Sequence, residues 1–265
     1  SFSSRRFDIV CATHSYYLAT KVATGQRKKK VIADYSKLFF SLALEVLCPL
    51  RCFVSSTSVE TWSKQIATGA QFVSVVIVQR DVIPLSVQDI VSLLSSTISV
   101  LSPIEMKTMK KDHQNYVVSD GPFNSCCDIV SSLLKHYPKQ LYGCASLLAS
   151  VIQSLMFHST ATGNCSISDN TKKAMRLTKT LELLSPHKEV FKKHTIGSIL
   201  YFIDSLEAGM SAATKKNLTP AIFALLDMCS KHELHQIQVT MSTSSKSLFE
   251  SVFRGFQKAQ YKGKY

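Results

Sequence analysis

Cys229, His232 and Glu233, with Asp227 just before them and His235 just after, are the side chains of this sequence best suited to doing chemistry. An imidazole beside a thiol can activate it for nucleophilic attack, and a Glu between two histidines suggests a zinc hydrolase helix. The spacing argues against both. The zinc motif needs histidines four residues apart, whereas His232 and His235 are three apart and no third ligand is evident. Residues three apart on one helix, such as Cys229 and His232, more often meet as packing neighbours than as a catalytic pair. The residues predict a structural corner instead, with Cys229 packed and Asp227, His232 and Glu233 hydrogen-bonded to helix ends, because buried polar groups must find partners. The chain has nine glycines and none forms Gly-x-Gly or Gly-Lys-Ser/Thr, so a phosphate loop is excluded. The expectation is a non-enzyme with no catalytic residue, no metal, no cofactor and no small-molecule substrate.

The cations offer binding rather than catalysis. With 31 Lys and Arg against 18 Asp and Glu the formal charge is +13, so the natural partners are acidic: nucleic acid, an acidic protein surface or anionic lipid. Arg27, Lys28, Lys29 and Lys30 form one compact cluster, suited to nuclear import, to RNA backbone or simply to a solvated loop. Lys172, Arg176 and Lys179 lie on one helical stripe with Lys173 beside it, and Lys188, Lys192 and Lys193 open the next helix. If those helices are antiparallel neighbours, stripe and cluster merge into one surface for phosphates or an acidic partner. No aromatics are interleaved for base stacking, so ordinary solvated faces are the competing reading.

Length and composition frame this. A chain of 265 residues with 45% hydrophobic and 18% charged side chains suits one large or two small domains, not a disordered tail. No apolar run approaches the length needed to cross a bilayer (the longest, 72–78, is interrupted by Ser74), Asp8 and His14 break any signal-peptide core, and no membrane role is expected. The eight cysteines include no Cys-x-x-Cys pair, which predicts reduced thiols in an intracellular compartment and no structural zinc.

Helical periodicity runs nearly throughout. Residues 35–47 place Leu38, Phe39, Leu42 and Val46 at helical spacing. Residues 59–79 read as a long helix, although 72–78 alone would pass for a strand. Ser86 to Asp89 is a capping box opening a helix that ends at Pro103. Asn124 or Ser125 is expected to cap residues 126–137, Pro138 to break or restart the chain, and 140–158 to continue as an apolar helix. Residues 171–184 are the clearest amphipath, and 187–206 should be one central helix. Thr219 and Pro220 read as the cap and first position of a helix over 218–234, and 247–261 as the last helix. Linkers are expected at 24–30, 107–122, 160–168 and 208–217. About nine helices without alternating strands predict an all-α chain: an irregular α-solenoid of antiparallel hairpins, or a compact multi-helix bundle. Residues 1–32 form an N-terminal segment with a basic linker, and 33–265 the helical domain.

The wording Phe-Ala-Leu-Leu-Asp-x-Cys-Ser-Lys-His-Glu-Leu over 223–234, followed by Leu-Phe-x-x-x-Phe-x-x-Phe-x-Lys from Leu248, resembles the C-terminal domain of a nucleolar pre-ribosomal RNA processing family. These are the large "unhealthy ribosome biogenesis" and nucleolar pre-ribosomal-associated proteins. The resemblance is strongest over 174–265, weaker over 35–101 and absent before residue 33. It implies an α-solenoid scaffold at the end of a longer protein, acting in early 60S assembly and 27S pre-rRNA processing in the nucleolus. It implies as partners a second large helical scaffold protein, a DEAD-box RNA helicase and pre-rRNA. It makes Asp227, Cys229, Ser230, His232 and Glu233 the family's structural corner. The alternative is a general helical-repeat nuclear adaptor, for transport or chromatin, unrelated to ribosomes.

Overall fold

The computed structural model describes residues 40, 41, 44, 47, 59–80, 84–102, 118–161 and 166–261. Residues 40, 41, 44 and 47 are helical, with Phe40 and Leu47 buried; the rest of the helix expected over 35–47, and the segment 1–32, lie outside the described residues. The architecture is all-helical, with no strand among the described residues. Within the range expected as one helical domain, contacts cluster into two compact units. The first holds the described residues up to 102 together with Ser119–Cys144, and the second holds Val118 with residues 145–261.

The first unit contains α1 (Val59–Val78), α2 (Val87–Leu101), α3 (Asp120–His136), α4 (Pro138–Leu141) and a 3-10 turn, Tyr142–Cys144. α1 packs on α3, and α2 on α3 and α4. The β-branched run inside α1 stays helical because Phe72, Val73, Val76 and Ile77 recur at three- and four-residue spacing and all are buried. Ser86 caps α2 as its sequence predicts: the Asp89 N–H donates to the Ser86 hydroxyl at 3.2 Å, and the Ser86 N–H donates to the Asp89 carboxylate at 2.8 Å. α3 corrects an expectation. It starts at Asp120 behind Ser119, not behind Asn124 or Ser125, so residues 120–122 of the expected 107–122 linker are helical, and 107–117 lie outside the described residues. Pro122 is tolerated because the first turn of a helix has no partners for its N–H groups. Pro138 does restart the chain, at the first position of α4.

The second unit contains α5 (Ala145–Thr160), α6 (Ile167–Leu181), α7 (Lys188–Phe191), α8 (Thr195–Glu207), α9 (Ala212–Met228), α10 (Lys231–Thr240) and α11 (Thr243–Tyr261). The expected single helix over 187–206 is broken. Pro186 lies within a 3-10 segment, Glu182–His187, and a second 3-10 turn, Lys192–His194, separates α7 from α8. The 140–158 helix is likewise interrupted, by the Tyr142–Cys144 turn. α9 is the largest revision. Ser211 caps it, accepting from the Thr214 N–H at 3.1 Å, so Thr219 and Pro220 lie inside the helix and the expected 208–217 linker shrinks to 208–211. The Thr219 hydroxyl bonds back to the Lys215 carbonyl at 2.7 Å. An interior proline costs about 3 kcal/mol, and each of the buried Leu218, Ile222 and Leu225 returns about 1.5–3 kcal/mol. The chain leaves α8 through a Schellman turn: Met210 N–H bonds to the Ser205 carbonyl at 3.0 Å, Gly209 N–H to the Leu206 carbonyl at 3.1 Å, and Gly209 takes φ +91°.

Pairings between these helices advance in step. Gln153 lies against Gly197, and Phe157 against Tyr201 with ring centroids 6.5 Å apart, so α5 and α8 run parallel. Thr178 donates to the Asn217 carbonyl and Lys188 to the Asp227 carbonyl, both pairs 39 residues apart, so the α6–α7 run is parallel to α9. Phe223 meets Phe256 at 5.7 Å, and Asp227 meets Gln260, 33 residues away, so α9 is parallel to α11. Glu207 at the end of α8 accepts from Ser244 and Ser245 at the start of α11, making that pair antiparallel.

The helical run Pro138–Thr160 is long and apolar enough, by length and composition, to cross a membrane, which corrects the expectation that no apolar run approaches that length. Half of its most apolar window is buried inside the protein, as in a core helix. Cys126, Cys127 and Cys144 are buried free thiols and Cys229 is half-buried; Cys11, Cys48, Cys52 and Cys165 lie outside the described residues.

Candidate functional site

The corner between α9 and α10 is built from two extended residues. Cys229 ends α9 at φ −73°, ψ 139°, and Ser230 opens α10 at φ −83°, ψ 174°. Ser230 and Glu233 form a capping box, in which the Ser230 hydroxyl accepts from the first-turn N–H groups and the Glu233 carboxylate accepts from the Ser230 N–H at 2.8 Å. The Ser230 hydroxyl also contacts that carboxylate. Glu233 is only 5% exposed, and the two Ser230 hydrogen bonds hold its carboxyl below the usual carboxylate range.

Asp227 joins three helical segments. Its carbonyl accepts from Lys188 Nζ of α7 at 2.6 Å, and its Oδ1 accepts from Gln260 Nε2 of α11 at 2.9 Å. Cys229 Sγ lies 3.4 Å from both the Leu225 carbonyl and the Thr195 hydroxyl. Burial pushes its thiol up, and the Thr195 hydrogen bond only partly opposes this. His232 departs from expectation: its backbone N–H joins the cap, but its side chain is exposed and outside the network. His235 is exposed as well. Asp227, Cys229, Ser230 and Glu233 are therefore the corner. Among the described residues no three His, Cys, Asp or Glu side chains are grouped to hold a metal. A cavity of about 10 Å³ under Thr195, Ser198 and His194 has room for one water.

The basic residues separate into different roles. Lys173 is buried at 2% exposure and donates to the Val118 carbonyl at 2.6 Å, so it cannot meet RNA or an acidic partner. Lys172 pairs with Asp169 at 3.8 Å, Arg176 is half-buried, and Lys179 is exposed. Lys188 is engaged with Asp227. Lys192 pairs with Glu189 at 2.7 Å, which lowers the carboxyl and raises the ammonium, and Lys193 is exposed. Stripe and cluster are not antiparallel neighbours: α6 and α7 follow one another along α9, so the two groups succeed each other lengthwise. Arg27, Lys28, Lys29 and Lys30 lie outside the described residues.

Residues 71–264, most of the chain and all of the corner, match the sequence model of the Urb2/Npa2 family. The chain belongs to the Urb2/Npa2 family. This is a nucleolar ribosome biogenesis family, in agreement with the resemblance carried by the terminal motif. No curated protein and no solved structure matches the chain. In this Urb2/Npa2 chain the corner also uses Lys188, Thr195 and Gln260, which sequence reasoning did not assign to it. Each lies more than thirty residues from its partner, beyond the reach of local spacing. Lys215 and Lys216, exposed on α9, were concealed within a supposed linker.

Proposed function

We propose that this Urb2/Npa2 chain is a non-enzymatic scaffold of early 60S assembly, acting in 27S pre-rRNA processing in the nucleolus. Its fold is read as an α-solenoid, in which α5 with α6 and α8 with α9 are successive hairpins and α11 continues the second layer. The observation that carries this reading is the in-step, parallel pairing of α5 with α8, of α6 with α9, and of α9 with α11, within a chain of a ribosome biogenesis family. Such stacking presents broad faces on which partners can assemble. The partners proposed are a second large helical scaffold protein and a DEAD-box RNA helicase, with exposed Lys179, Lys193, Lys215 and Lys216 available to pre-rRNA. The chemistry of the corner supports positioning: a protonated, packed thiol and a carboxylate committed to a helix cap are poor nucleophile and base.

Affinity purification of the full-length protein from cells tests this. Enrichment of 27S pre-rRNA and early large-subunit factors is expected. Enrichment of transport cargo or chromatin proteins alone would overturn it.

A further inference from the structure

We infer that Lys173 and His158 form a two-point latch that fixes the chain at Val118 by its backbone. A residue offers one amide donor and one carbonyl acceptor, and at Val118 side chains take both. The Val118 N–H donates to His158 Nδ1 of α5 at 3.3 Å, and Lys173 Nζ of α6 donates to the Val118 carbonyl at 2.6 Å. Val118 and His158 are fully buried and Lys173 nearly so. A buried ammonium is costly unless it is hydrogen-bonded, and the bond that Lys173 gives the Val118 carbonyl is one that an apolar residue of its length cannot make. Acceptance at Nδ1 requires that nitrogen to be unprotonated, which makes His158 a neutral imidazole carrying its hydrogen on Nε2. The latch closes on the α5–α6 pair from outside its hairpin. Val118 is 40 residues from His158 and 55 from Lys173, and the next residue, Ser119, stands at the N-cap position of α3. The same side chain that reads in sequence as a partner-facing cation is thus an internal fastener, independent of the scaffold reading above.

Amide hydrogen exchange on the whole chain tests this. Lys173→Met keeps length and burial without the donor, and His158→Phe removes the acceptor. In both, exchange at the Val118 amide should rise about tenfold or more, the loss expected for one buried hydrogen bond, while amides of Leu155 in α5 and Leu177 in α6 keep their protection. Val118→Ala, which leaves the backbone intact, should keep the Val118 amide slow, and nitrogen shifts should place the His158 proton on Nε2. The latch is refuted if Lys173→Met leaves the Val118 amide unchanged, or if Leu155 and Leu177 accelerate equally. A Val118→Ala effect as large as that of Lys173→Met, or a proton on Nδ1, would refute it too.

Discussion

Removing the Ser230 hydroxyl should cost more than an ordinary helix cap. An N-cap Ser→Ala change costs about 1 kcal/mol, within roughly 0.5–2. Here the hydroxyl also contacts Glu233, a carboxylate 5% exposed, and hydrogen bonds to charged groups contribute about 1.5–3 kcal/mol. The Ser230 N–H continues to serve Glu233 in the variant, so Ser230→Ala should lose about 1.5–3 kcal/mol in total. Glu233→Ala should lose a similar amount, since Ser230 keeps its contacts to the first turn of α10. Because both side chains belong to one network, the double variant should fall short of the summed losses by about 1 kcal/mol or more. Urea denaturation followed by far-ultraviolet circular dichroism reads these differences as midpoint shifts at constant slope. A Ser230→Ala loss below about 0.5 kcal/mol, or single losses that simply add, would refute the reasoning.

Acid should weaken the same region. Hydrogen bonds hold the Glu233 and Glu207 carboxyls below the usual range, so their stabilisation is complete above the unfolded value of about 4.3 and fades as pH falls through the lower folded values. Urea midpoints measured from pH 6 down to 3 should fall more steeply in the native chain than in Glu207→Gln/Glu233→Gln; equal slopes contradict this. Cys229 should alkylate at pH 8 more slowly in the folded than in the urea-unfolded chain, because burial raises its thiol. Equal rates at the Cys229 peptide, read by mass spectrometry, would show an activated thiol. Pro220→Ala should stabilise the protein by about 1–3 kcal/mol by restoring an interior helix bond. A neutral or negative change in the urea midpoint would put the start of α9 back at Thr219.

What the sequence revealed depended on how local the physics was. The α2 capping box and the amphipathic α6 follow from neighbours within four residues, and both were read correctly in kind. The start of α9 was misread because Pro220 favours a first turn locally, whereas Leu218, Ile222 and Leu225 gain more by extending the helix across it. Lys173 was misassigned for a related reason. Its spacing placed it beside the cationic stripe, but a carbonyl 55 residues earlier claims it. The corner was half legible: Ser230 and Glu233 are a local cap, whereas the ties of Asp227 to Lys188 and Gln260 appear only when three helical segments meet.

One substitution set separates a fastening role for the terminal motif from a chemical one. Cys229→Ala, His232→Gln and Glu233→Gln together remove the thiol, imidazole and carboxylate that a catalytic reading would need, yet leave Ser230 with a glutamine three residues on, still a competent capping box. Cells carrying this variant in place of the native protein should process 27S pre-rRNA at near the native rate. Loss of processing as severe as removal of the protein, with the variant still folded, would contradict the account.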